Sequence, residues 1–115
     1  MSYDIYIYNP KTKKFISSDY AGYIDSNDYD KLLYLNLTYN YSSILQKIFD
    51  NKDGIYILNN KKVSRTIDKI QNAINKLNNQ MNKDYWDVSE GNVKFALLKL
   101  YQIALLGQDG VWKII

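Results

Sequence analysis

Asn36, Thr38, Asn40 and Ser42 fall two residues apart in the stretch YLNLTYNYSSIL. On a strand, residues at i, i+2 and i+4 share one face, so Asn36, Thr38 and Asn40 would stand in a row, with Ser42 in the helix beyond. Side-chain amides both donate and accept, and hydroxyls do the same. Such a row can read the edge of a base, a ribose or a phosphate. Its far end is expected to meet the start of a helix, whose unpaired N–H groups favour anions. A second group, DYWDVSEGN, sets Trp86 just ahead of Ser89, Glu90, Gly91 and Asn92, at the expected start of another helix. An indole there can stack on a ring or close a pocket. If both groups serve one ligand, the binding residues are Asn36, Thr38, Asn40, Ser42, Trp86, Glu90 and Asn92. Each group also has a purely structural reading. The row is then a solvated strand face with Asn40 as a helix cap, and Trp86 is a loop anchor over the core.

Catalysis has little to work with. The 115-residue chain contains no histidine and no cysteine, which removes imidazole acid–base chemistry, thiolate nucleophiles and Cys/His zinc sites. Asp25, Asn27 and Asp30 match a calcium loop poorly, because the central glycine and terminal glutamate are missing. No catalytic residue, metal or cofactor is therefore assigned, and the chain is read as a non-enzyme. Net charge is only +3, and Arg65 is the sole arginine among scattered lysines. Strong duplex-DNA binding is not expected from so dispersed a charge. Tyrosine is abundant at 12 residues. Tyr20, Tyr23, Tyr29, Tyr34, Tyr39 and Tyr41 gather around one loop and strand, where they can form a contact surface for a protein or pack a half-buried sheet. With no apolar run of membrane-spanning length and no leader pattern, a cytoplasmic protein without membrane contact is expected. Self-association is left open.

The elements that must hold these residues are legible in the periodicity. Residues 4–8 and 15–17 read as a hairpin around the turn NPKTKK, and residues 32–39 as a strand with its leucines facing a core. A helix follows Asn40, carrying Ile44, Leu45, Ile48 and Phe49. Residues 55–58 are a short strand or connector. Residues 64–82 repeat apolar side chains at helical spacing, and residues 93–106 are apolar nearly all round, which predicts a central helix buried on more than one side. Ser89 is placed to cap that helix and Gly107 to end it. The chain is thus expected to be one domain, residues 1–115, of the α+β class: a small, mostly antiparallel sheet with an N-terminal hairpin, packed against two or three helices.

YDIYIYNP, NLTYNYSSIL, DYWDVSEGNVKFALLKL and the closing DGVW together resemble a family of small uncharacterised proteins of bacteriophages and prophages. The matching positions are Asp4, Ile5, Asn9 and Pro10, then Asn36, Thr38, Asn40 and Ser42, then Trp86, Glu90, Gly91 and Asn92. The lysine-rich turn departs from the acidic turn of many members. The resemblance implies action by binding in the host cytoplasm, as a counter-defence protein. One form would be a sponge that sequesters a nucleotide immune signal, of cyclic-nucleotide or ADP-ribose type. The alternative is an inhibitor or adaptor that binds a host defence protein directly through a tyrosine-rich surface.

Overall fold

Apolar and polar side chains alternate through SYDIYIYN with the period of a half-buried strand. The computed structural model, which describes residues 2–15, 34–79 and 88–115, forms a strand there, β1 (Ser2–Asn9). Tyr3, Ile5 and Ile7 are buried, while Ser2, Asp4, Tyr6 and Tyr8 lie half-buried on the other face. The Asn9 carboxamide then accepts from the backbone N–H of Lys11 at 2.9 Å, and Lys13 takes the left-handed conformation at φ 59°. An asparagine closing a turn on its own backbone in this way is a familiar device. It returns the chain as β2 (Lys14–Phe15).

β3 (Tyr34–Thr38) and β4 (Val111–Ile114) also pair antiparallel with β1. Tyr6 is opposite both Tyr34 and Lys113, and Tyr8 is opposite both Phe15 and Val111. A residue has one partner on each edge, so β4 occupies one edge of β1 while β3 and β2 share the other, end to end. Leu35, Leu37, Trp112 and Ile114 are buried with the inward residues of β1. Among the described residues three helices cover this face: α1 (Ser42–Ile48), α2 (Ile67–Asn75) and α3 (Glu90–Leu106). The expected α+β architecture forms, with the apolar residues of sheet and helices joined in one cluster.

The long helix expected over residues 64–82 is shorter and broken. A 3₁₀ turn, Val63–Arg65, precedes α2, and α2 stops at Asn75. The Thr66 hydroxyl donates to the Val63 carbonyl and accepts the buried Trp112 indole N–H, both at 2.8 Å. That pair of bonds holds the break and ties β4 to α2. Beyond Lys76 the sequence LNN favours turns over helix, although Leu77 stays buried. Residues 80–82 lie outside the described residues. Residues 55–58 are a connector: the chain makes a 3₁₀ helix, Gly54–Leu58, with Gly54 at φ 57°.

Ser89 caps α3 as expected, its hydroxyl accepting from the Asn92 N–H at 3.2 Å. Val93, Ala96, Leu97, Leu100, Ile103 and Ala104 form its buried face. The helix is not surrounded, because Phe95, Leu98, Leu105 and Leu106 on its other side are exposed. Phe95 carries Lys99 Nζ 4.7 Å from its ring centre. We expect Leu97→Ala or Leu100→Ala to cost roughly 2–5 kcal/mol of stability in chemical denaturation, since each leaves a cavity in the common core. Unchanged midpoints for both variants would contradict this placement.

Candidate functional site

Three surfaces carry polar or aromatic groups that can meet a partner. The first is the outer face of the sheet. Register sets Asp4 opposite Asn36 and Ser2 opposite Thr38. The Asn36 amide nitrogen donates to Asp4 Oδ1 at 3.0 Å and to Ser2 Oγ at 2.6 Å, and the Tyr34 hydroxyl donates to Asp4 Oδ1 at 2.7 Å. Tyr6 lies against Tyr34 with ring centres 4.9 Å apart. Burial, followed by the hydrogen bond to the Asp4 carboxylate, pushes the Tyr34 phenol well above its ordinary range. Both amide protons of Asn36 are thus engaged inside the fold.

The expected row of Asn36, Thr38 and Asn40 does not continue past this clasp, while Ser42 begins α1 as expected. β3 ends at Thr38, and Asn40 stands in a 3₁₀ turn, Tyr39–Tyr41. Thr38 is buried, and its hydroxyl caps that turn by accepting from the Asn40 N–H at 3.2 Å. The cap expected of Asn40 does not form: Tyr41 stands at the N-cap position of α1 and no side chain caps that helix. Asn40 itself is exposed.

Ser42 belongs to the second surface, a corner where strand turns into helix. Its hydroxyl donates to the Tyr39 carbonyl at 2.6 Å, so the Tyr3 hydroxyl, 2.7 Å away, is the donor to Ser42. The Tyr3 ring meets Tyr39 edge-on at 4.5 Å and Tyr56 at 5.2 Å. Tyr39 and Tyr56 remain 36% and 40% exposed. Desolvation and then a hydrogen bond with Tyr39 raise the Tyr56 phenol. Tyr41, by contrast, is fully buried and belongs to the core instead of a contact surface. Tyr20, Tyr23 and Tyr29 lie outside the described residues. Tyr56 had no sequence signal, because only the tertiary fold brings residue 56 back to the start of β1.

The third surface is a cleft between α1, the end of α2 and the start of α3. One recess of about 270 Å³ is lined by Ile44, Lys47, Ile48, Lys76, Leu77 and Glu90. A second, about 380 Å³, adjoins it through Ile48 and Lys76 and adds Phe49, Arg65, Asp68, Lys69 and Asn72. Lys76 Nζ donates to the Ile48 carbonyl at 3.0 Å, and Glu90 Oε1 accepts from the Asn78 N–H at 3.2 Å. Among the described residues, Glu90 is the one expected ligand residue that lines this cleft. Asn92 is only 2% exposed and lies on the helix-covered side of the sheet, away from the outer face that bears Asn36. Trp86 lies outside the described residues. Among the described residues there is no cluster of three metal-binding side chains and no helix long and apolar enough to cross a membrane.

Compared with known protein families, with curated proteins and with solved structures, the chain finds no match.

The Tyr34 clasp has a pH signature. A phenol held neutral in the fold stabilises the protein fully below about pH 10, the ordinary tyrosine value. Above that the unfolded chain releases its proton first, and stability falls as pH rises. Between about pH 8 and about pH 11, wild type should lose more stability in urea than Tyr34→Phe. Equal losses would show that Tyr34 titrates alike in both states.

Proposed function

We propose that this chain acts by binding a host protein, in the counter-defence role its phage resemblance implies, with the tyrosine corner as the docking surface. The supporting observation is that Tyr39 and Tyr56 stand exposed while Tyr3 and Ser42 hold the ring and backbone beside them. Tyrosine suits such a role. It offers a large amphipathic face, and a ring already held in place loses little freedom on binding. The reading is non-enzymatic, because the chain lacks the usual pairs for proton transfer or nucleophilic attack.

The sponge is the second reading, and one observation favours it. The cleft between α1 and α2 joins an apolar recess to a cationic one, in the manner of a small-molecule site. On either reading the protein works in the cytoplasm of the infected host.

The test is a plating assay in cells with a defence system that the wild-type chain suppresses. Tyr39→Ala/Tyr56→Ala should reduce suppression at least about tenfold. The ring contacts it removes are worth only about 0.5–1.5 kcal/mol each, so the variant should stay folded. Full suppression by the folded double variant would contradict the docking reading. Release of a nucleotide on denaturing wild-type protein purified from those cells would establish the sponge instead.

A further inference from the structure

Lys76 sits at the junction of the two recesses, and its position is set by the fold. Its ammonium is held on the Ile48 carbonyl, at the C-terminal end of α1. There it offsets the partial negative charge of the helix end and keeps remaining donor capacity, because an ammonium has three protons. On one side Ile44, Ile48 and Leu77 make an apolar wall, with Lys47 beside them. On the other side Arg65 and Lys69 are exposed, and among the described residues neither makes an ion pair. Among the described residues, Asp68 is the one carboxylate on that side and Glu90 the one on the apolar side, its Oε1 already bonded to Asn78.

We propose that the two recesses form one bipartite site for a nucleotide-sized anion. A flat ring enters the recess against Ile44, Ile48 and Leu77. A phosphate lies over Arg65 and Lys69, with Lys76 between the two parts. Arg65 suits the phosphate end because a guanidinium can grip two oxygens at once. Glu90 has a second carboxylate oxygen that can accept from an amino group on the ring. Neither recess alone would hold such a ligand well. Adjoined, they lie within the ~300–1,000 Å³ usual for small-molecule sites. The inference rests on the sponge reading, to which it gives a place and a ligand chemistry. It shares no residue with the tyrosine corner, so the docking reading stands or falls separately.

The experiment is titration calorimetry of the full chain with AMP, ADP-ribose and inorganic phosphate at low salt. AMP and ADP-ribose should bind, with inorganic phosphate at least about tenfold weaker. Arg65→Gln/Lys69→Gln should weaken nucleotide binding at least about tenfold and flatten its salt dependence. Its thermal melt should match wild type, because both side chains are exposed. Ile44→Asn, which adds no charge, should bring the affinity for AMP down to that for phosphate while leaving phosphate binding unchanged. Three results would each overturn the proposal: no nucleotide binding by wild type at millimolar concentration, undiminished binding by the folded Arg65/Lys69 variant, or phosphate binding equal to AMP. None of them bears on the plating assay of the tyrosine variant, which tests the docking reading by itself.

Discussion

Every strand among the described residues is held by β1. It pairs with β4 on one edge and with β3 and β2 on the other. Its inward side chains Tyr3, Ile5 and Ile7 are in the common core, and its outward side chains Ser2 and Asp4 hold Asn36. One eight-residue segment thus sets the sheet register, supplies the floor of the core and fixes the outer face. A one-residue slip of β1 would turn its apolar set toward water. The pairing also brings the two ends of the chain together, with Asp4 and Ile115 exchanging backbone hydrogen bonds at 3.2 and 2.9 Å.

Much of this was legible in sequence because it rests on periodicity. The alternation in residues 4–8 and the leucines of YLNLT gave the strands, and the Ser89 cap gave the start of α3. The misses have a common cause. A hydrophobic period reports which residues are apolar, and it does not report where a side chain interrupts the backbone. Thr66 breaks the helix through a bond to Trp112, 46 residues away, and no local pattern encodes that. Likewise, α3 is apolar all round in sequence, yet the fold covers only one of its sides.

The candidate residues divide along the same line. Asn36, Thr38 and Ser42 all have polar side chains that a strand-to-helix corner can use, and all three are bonded within it. Local spacing could identify them as a set, but only the register of β1 against β3 reveals that Asp4 faces Asn36. The surfaces that remain open were only partly legible, through Tyr39 at the corner and Glu90 at the cleft. Tyr56 reaches the corner, and Lys69, Lys76 and Ile44 meet at the cleft, through the packing of separate elements.

On β3 the Asn36 amide is a clasp of the fold, bonded to Asp4 and Ser2 across the β1–β3 pairing. A double-mutant cycle on Asp4 and Asn36, using Asp4→Ala, Asn36→Ala and the pair, tests it most directly by urea unfolding. The hydrogen bond has a charged acceptor, so the coupling between the two positions should be about 1.5–3 kcal/mol. Additive effects, with Asn36→Ala as stable as wild type, would contradict the claim and return Asn36 to the list of free ligand-binding groups.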